Sequence, residues 1–434
     1  MHSGIRGGDV PLTIYDMDYG LYMSQRVLFY RRAVDVAALR RSFERMLQRV
    51  PLLAGRLVRT EDGDLLIRCS DGGAELSVVE QRGTIEEYGI GRSATSELAR
   101  FTGLHSGFRL VNHDAPLLRV RVTLMRSGGM AIGVSAPHIV MDAGTVTRFL
   151  SYWSKEHRGL PWPGLDPERA ALLAFEEQAR REVASVRARR LRTALHDVAF
   201  VAKIIQHIGP VESRVIRFPA EEVSRLEQRA RESAGTEGAQ LSTYDALGAH
   251  FWKVVTALRG YAGRTTDKLT MVIDVRSRME PLLSAPYLGN GVTDLTCDLP
   301  STELSSASVG AIAVQIRRAR KAFTPEAARA AHAQHCKDWE SGRHRRLMDR
   351  VTARALDGNM CFNSEAGAPL YDVDFGEGRP FWCERPFYPI PRFVVISPAP
   401  AGDGSVDLRL ALPRDDMRKL DSPELQRKLH PVAA

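Results

Sequence analysis

The segment PHIVMDAG (137–144) places one imidazole, His138, and one carboxylate, Asp142, four residues apart across a turn. A neutral histidine is the natural general base near pH 7, because its ordinary pKa lies close to the working pH. Asp142 could orient that ring, or it could hold the loop through an ion pair. The plainer alternative is a satisfied histidine at a strand end followed by a helix-capping aspartate. A second segment, PLYDVDFGEGRPFW (369–382), sets Gly376 and Gly378 beside Asp374, where glycines permit tight turns or positive φ. By itself it reads as a glycine-rich turn. A third, DVRSR (274–278), puts Arg276 and Arg278 on the same side of a predicted strand and is followed by YLGNG (287–291). Either arginine could supply a fixed cation for Asp142; otherwise both are surface charge. HAQHC (332–336) gathers two histidines and a cysteine, but without a second cluster it reads as helix surface, and no metal site is expected. Phosphate-cradling GxxxxGK[ST], GxGxxG after a strand and the nucleophile pattern GxSxG are all absent.

The elements around these residues are legible from apolar spacing. VLFYRR (27–32) reads as a strand and 34–51 as a helix, with Asp35 as N-cap and Pro51 as its stop. Leu39, Phe43, Met46, Leu47 and Val50 share one face of that helix. Residues 65–69 and 117–125 read as strands. MAIGVSAPH (130–138) is a short apolar strand ending at Pro137, and 142–159 is a helix with the stripe Val146, Phe149, Leu150 and Trp153. His138 therefore sits just past a strand end at the entry to a helix, where a rigid strand fixes the backbone and a turn exposes the side chain. From 161 to 212 the chain turns loop-like, then strongly basic. The helix predicted over 176–192 has little apolar stripe and reads as a solvated connector. A second unit begins near Val211: strand 213–219, helix 220–234, and a helix over 241–260 opened by the capping box Ser242/Asp245. A strand over 268–278, a helix over 306–323, strands over 393–400 and 405–413 and a closing helix near 415–429 complete it. Both halves mix strands and helices, which predicts an α/β layered architecture in two domains of similar size.

Composition narrows the classes. At roughly 100–200 residues per domain, 434 residues suit two or three domains. The apolar fraction of 44% and charged fraction of 26% are those of an ordinary globular chain, which argues against disorder and collagen-like repeats. A net charge of +8 suits an anionic small molecule and is too small and dispersed to point to nucleic acid. Five scattered cysteines (Cys69, Cys297, Cys336, Cys361, Cys383) form no paired pattern, so reduced thiols in a cytoplasmic protein are expected. The first residues lack the basic-then-apolar pattern of a secretory signal. No apolar run approaches the ~18 residues of a membrane span.

Two motifs in order, about 230 residues apart, are far more specific than either alone. Together they resemble the BAHD-type acyl-CoA-dependent acyltransferases, within the chloramphenicol acetyltransferase-like superfamily. His138 through Ala143 stand where the family has HxxxDG. Asp374, Phe375, Gly376, Glu377 and Gly378 stand where it has DFGWG. PLLAGRL (51–57), the Phe149 and Trp153 spacing, LSTYDALGAHFW (241–252), DVRSR with YLGN, and LYDVDFG (370–376) extend the likeness along nearly the whole chain. The resemblance implies two chloramphenicol acetyltransferase-like domains, each a mixed sheet with flanking helices, joined by a long crossover: 1–175 carrying HxxxD, a connector 176–212, and 213–434 carrying DFGEG. It implies a channel between them with acyl-CoA as co-substrate entering from one face, a small-molecule acceptor from the other, and no permanently bound cofactor. His138 would deprotonate an acceptor hydroxyl or amine that attacks the thioester directly, without an acyl-enzyme. Asn363 and Ser364 match the family's oxyanion donor. Asp142 would pair with an arginine, by position Arg276, with Arg278 second. Asp374, Gly376 and Gly378 would shape the CoA side, and Arg379, Lys253 and RHRRLMDR (343–350) would meet its phosphates. A monomer that binds neither membrane nor nucleic acid is implied.

Three departures stand out. Ala143 replaces a glycine, Glu377 replaces the tryptophan of DFGWG, and Glu365 stands where the plant members usually have tryptophan. They imply a member distant from the plant enzymes, with Glu377 turned away from the CoA path. Two other readings compete: a condensation-type enzyme fed by a carrier-protein thioester, against which Pro137 stands in place of that group's first histidine, and a protein that keeps the fold only to bind or shape a small ligand.

Overall fold

The computed structural model describes residues 1–19, 23–61, 64–84, 96–103, 110–182, 211–260, 265–341, 354–355, 358–386 and 390–431. In chain order its strands are β1 (Asp9–Pro11), β2 (Met23–Tyr30), β3 (Arg56–Arg59), β4 (Leu65–Arg68), β5 (Glu75–Gln81), β6 (Arg119–Met125), β7 (Met130–Pro137), β8 (Val211–Phe218), β9 (Thr266–Asp274), β10 (Val292–Pro300), β11 (Met360–Ser364), β12 (Trp382–Glu384), β13 (Phe393–Pro398) and β14 (Val406–Pro413). The helices are α1 (Ile14–Asp18), α2 (Val36–Arg49), α3 (Ala143–His157), α4 (Ala170–Arg181), α5 (Ala220–Ser233), α6 (Thr243–Arg259), α7 (Ser301–Ser306), α8 (Val309–Ala322), α9 (Pro325–Glu340), α10 (Arg414–Leu420) and α11 (Pro423–Leu429). The strands form two large mixed sheets, ordered β12-β2-β7-β6-β5 and β10-β9-β11-β13-β14-β8, and a small antiparallel one, β1-β4-β3. Helices flank both large sheets, and each has its own apolar core. This is a mixed α/β architecture built on two separate large sheets, as the sequence predicts. Among the described residues no helix is long and apolar enough to cross a membrane.

Local chemistry explains the elements that carry the site. All eight residues of β7 are buried, and MAIGVSAP is apolar but for Ser135 rather than alternating, as a central strand covered on both faces requires. A Cβ on its Gly133 would lie 1.9 Å from the carbonyl oxygen of Phe101, so only glycine lets those backbones meet. Asp35 caps α2 by accepting from the amides of Ala37 and Ala38. α2 and α3 pack through Phe43 and Trp153, whose rings are 5.3 Å apart, and the Trp153 indole N–H donates to Ser42 Oγ at 3.0 Å. Phe375, from the second motif, packs edge-on against Trp153 at 4.9 Å. The second half of the chain also adds β12 to the edge of the first sheet, antiparallel to β2. The two halves are therefore stitched together by one stretch of the second half, from Phe375 to Glu384, that reaches back to the first.

Several expectations need correction. The strand predicted over 268–278 ends at Asp274, and Arg276–Arg278 form a 3-10 turn, so Arg276 and Arg278 do not share a strand face. The ladder ends where Asp274 Oδ1 accepts from the Arg276 amide at 2.9 Å and the chain turns. The closing helix is two helices, broken at Asp421–Ser422, because Ser422 caps a new helix whose first residue is Pro423. The connector helix begins earlier, at Ala170, and buries Leu172, Glu176 and Ala179. It is anchored rather than solvated up to Arg181; residues 183–210 lie outside the described residues. HAQHC is not helix surface: His332, His335 and Cys336 are buried on α9. His332 stacks on Tyr15 at 3.8 Å and bonds Glu176 at 2.9 Å, a carboxylate that also accepts from the amide of Ile14. The partner acid comes from another helix, which local spacing does not show.

Candidate active site

β7 stops at Pro137, and a single turn leads into α3, with His138 at the turn and Asp142 as the N-cap. The His138 ring stacks on Tyr19, with centroids 4.5 Å apart. Its Nδ1 lies 3.0 Å from Asn290 Oδ1. Asn290 donates from Nδ2 to the His138 carbonyl (2.7 Å) and to Asp16 Oδ1 (3.2 Å), which sets the amide with its oxygen toward the ring. On that network Nδ1 carries the proton and the lone pair is on Nε2. Asp16 in turn accepts from the Asn290 backbone amide at 2.8 Å and closes the capping box of α1 with Thr13. Burial pushes the His138 pKa down to about 4, opposed by the charge of Asp142 and reinforced by Arg385. The ring is therefore neutral at physiological pH, as a general base must be.

Asp142 has both carboxylate oxygens engaged by groups other than that ring. Its Oδ1 accepts from the Thr145 amide at 2.7 Å, and its Oδ2 from Arg276 Nη2 at 2.8 Å and the Gly291 amide at 2.9 Å. The pair is almost wholly buried. Although burial opposes ionisation, Arg276 and these amides hold the Asp142 pKa down to about 2. Arg276 also donates to Thr145 Oγ1 and the Gly289 carbonyl, both at 3.0 Å, and to Asp274 at 3.0 Å. It ties the start of α3 to the 3-10 turn and the YLGNG segment of the other half. Arg278 instead donates to the carbonyls of Phe323 and Asp274.

A cavity of about 330 Å³ opens beside these groups. Its lining draws on β2 and the β7–α3 turn of one half and on β9, β11 and the chain after β12 of the other. It includes His138, Asn363, Ser364, Glu365, Arg26 and Arg385. Asn363 and Ser364 lie at the end of β11, held in parallel register against Val395 and Ile396. A neutral imidazole and polar side chains lining one cavity can take a proton from a nucleophile and stabilise an oxyanion.

The other expected residues lie outside that lining. Asp374 accepts from the amides of Gly376 and Gly378, whose φ values of 104° and 107° explain the glycines. Arg379 is exposed and paired with Asp372 at 3.2 Å. The Lys253 ammonium donates to the carbonyls of Ser305 and Ala307, away from His138. Residues 343–350 lie outside the described residues. Glu377 pairs with exposed Arg32 at 3.4 Å. Glu176, His332 and Cys336 each offer a donor atom within 4.8 Å of the others, the one such grouping among the described residues; the carboxylate is already engaged. Sequence reasoning missed Asn290, Asp16, Tyr19, Arg26 and Arg385. Thr13 and Asp16 stand at capping-box spacing, and Asn290 sits in the quoted YLGNG, so two of these carried a local signal; the arginines carried none.

The sequence profile of the Transferase family matches residues 3–425. Agmatine hydroxycinnamoyltransferase 1 of Oryza sativa subsp. japonica is 27% identical, covering 94% of this chain and 91% of that protein. Shikimate O-hydroxycinnamoyltransferase of Nicotiana tabacum is 24% identical, covering 84% and 82%. Among solved structures, F. graminearum TRI101 complexed with coenzyme A and T-2 mycotoxin superposes with a TM-score of 0.74 at 18% identity, covering 97% of this chain and 99% of that one. Vinorine synthase gives 0.71 at 19% identity, covering 97% and 94%.

Proposed function

This chain belongs to the Transferase family, the BAHD-type acyl-CoA-dependent acyltransferases, and from that premise we propose how its own residues move an acyl group from a CoA thioester to a small-molecule hydroxyl or amine. His138 Nε2 removes the acceptor proton as the acceptor attacks the thioester carbonyl. Asn363 Nδ2 or Ser364 Oγ donates to the oxyanion. Collapse breaks the C–S bond, and the departing CoA sulfur takes the proton from His138. No acyl-enzyme forms. Asp142 and Arg276 take no part in proton transfer; they hold the turn on which the base stands. Asp374, Gly376 and Gly378 shape the CoA side, and exposed Arg379 meets phosphate there. The carrying observation is a neutral imidazole, its tautomer set by Asn290, facing a cavity lined by both halves. The reading divides the chain into domains 1–175 and 213–434 with a connector 176–212. It makes the enzyme a cytoplasmic monomer, which four buried free thiols suit.

The test is thioester cleavage by the purified chain with acetyl-CoA and p-coumaroyl-CoA against a panel of alcohols and amines. Acceptor-dependent CoA release with stoichiometric acylated product is expected. Turnover that requires an acylated carrier protein, and is absent with free CoA thioesters, would overturn the donor assignment.

A further inference from the structure

A second cavity, of about 370 Å³, lies in the helical layer of the second half and shares no lining residue with the one at His138. It is framed by α5, α6, α7, α8 and α11. On α6, His250, Lys253, Val254 and Ala257 stand at positions i, i+3, i+4 and i+7, so they share one face. Leu226 and Arg229 stand three apart on α5 in the same way. Part of the lining is apolar: Leu226 and Val254 are buried, and Ala257, Val309 and Pro431 are half-buried. His250, pushed down to about 4 by burial, adds no charge near neutral pH.

The charged part of the lining is of one sign. Arg229, Lys253, Arg427 and Lys428 line the cavity, and no carboxylate does. The sequence explains why. On α5, Arg225 and Arg231 pair with Glu221 and Glu227, each four residues back. Four residues before Arg229 stands Arg225, and Glu232, three residues after it, already accepts from Gln228 at 2.8 Å. On α11, Glu424 pairs with Lys428 at 2.7 Å and also senses the charge of Arg427, whose own position four back is Pro423. Arg229 and Arg427 are exposed and form no ion pair among the described residues. Lys253 is held by neutral acceptors, the carbonyls of Ser305 and Ala307. They use two of its three N–H groups and cancel none of its charge.

Apolar surface beside unbalanced positive charge suits an anion with a hydrocarbon tail. Guanidinium recognises a carboxylate by paired, charge-assisted hydrogen bonds. We propose that this cavity binds a straight-chain fatty acid, its carboxylate at Arg229 and Arg427 and its alkyl chain against Leu226, Val254, Ala257 and Val309. The site goes beyond the acyl-transfer reading and does not rest on it. Its occupant would tie α11 to α5 and α6.

The test is isothermal titration of the whole chain with hexanoate, octanoate, 1-octanol and octylamine, each below the concentration at which it aggregates. Octanoate is expected to bind roughly 10–100-fold more tightly than 1-octanol, with octylamine weakest. Each methylene between hexanoate and octanoate is expected to add about fourfold. The double variant Arg229→Gln, Arg427→Gln is expected to bring octanoate down to the level of 1-octanol; Arg427→Gln alone serves if the pair does not fold. Octanoate that binds no better than 1-octanol overturns the proposal, and so does equal affinity for hexanoate and octanoate, which would mark a bare anion site. An affinity unchanged in the folded variant overturns it by placing the ligand elsewhere. Displacement of octanoate by coenzyme A, which has no alkyl tail, would make this a phosphate site instead. Binding to vesicles of anionic phospholipid without binding of monomeric octanoate would make it a membrane-facing surface, and the fatty-acid site would be wrong.

Discussion

On the proposed mechanism two demands meet at His138: the ring must be neutral to accept a proton, and its lone pair must sit on the nitrogen that meets the acceptor. Burial satisfies the first and Asn290 the second. Replacing His138 by Ala should lower kcat by roughly 10²–10⁴-fold while far-UV circular dichroism and Tm stay near wild type, because only the base is lost. The pH profile follows from the lowered pKa. The active form is unprotonated, so kcat/KM should stay flat from about pH 8 to about pH 5 and fall to half near pH 4. A midpoint at about 6.5, the ordinary value, would show that the ring is solvated and that its burial is not what tunes it.

The β7–α3 unit turns that ring into a fixed group. Asp142 caps α3 and receives Arg276 from the far half, so one carboxylate both starts a helix and fastens a turn. Asp142→Ala should cost about 3–5 kcal/mol in urea denaturation, since it leaves the Arg276 guanidinium buried without its partner. Activity should fall as well, though His138 is untouched. Gly291 makes a separate test of the same junction. A Cβ there would lie 2.7 Å from the Arg276 side chain, so Gly291→Ala should push the guanidinium off Asp142 and destabilise by about 1–3 kcal/mol. A variant with wild-type stability would mean the junction tolerates rearrangement.

Across the whole molecule, buried ionisable groups make stability depend on acid. His138 and His250 are both pushed down to about 4 by burial, far below the ~6.5 of an unfolded chain. Between those values the unfolded chain binds protons that the native one refuses. Their contribution is therefore complete above about pH 6.5 and is lost as pH falls toward 4. Asp142, held at about 2, adds a loss below about pH 3.9. Tm measured by scanning calorimetry should be level near neutrality and decline steadily from about pH 6.5 to pH 4. A Tm indifferent to pH in that interval would contradict the neutral state of both histidines. The same scans should show one cooperative transition, because Phe375, β12 and the Asp142–Arg276 pair each carry residues of one half into the other.

Periodicity and punctuation were enough to read most elements, because caps, proline stops and apolar stripes are local: Asp35, Ser242 with Asp245, and Pro137 mark real boundaries. The paired motifs likewise placed His138 and the family in view. Local spacing failed where a neighbour arrives from far along the chain. HAQHC reads as surface until Glu176 covers it, and nothing near Arg26 or Arg385 announces that both end on Glu365. The amino-acid sequence by itself determined the two-layered α/β units and the histidine at a strand end, since those follow from interactions within a few residues. Only the tertiary structure decided the tautomer of that histidine, the Asp142–Arg276 ion pair and the Arg26–Glu365 pair in the cavity wall, because each depends on groups more than 100 residues apart brought within hydrogen-bonding distance by the packing of two sheets.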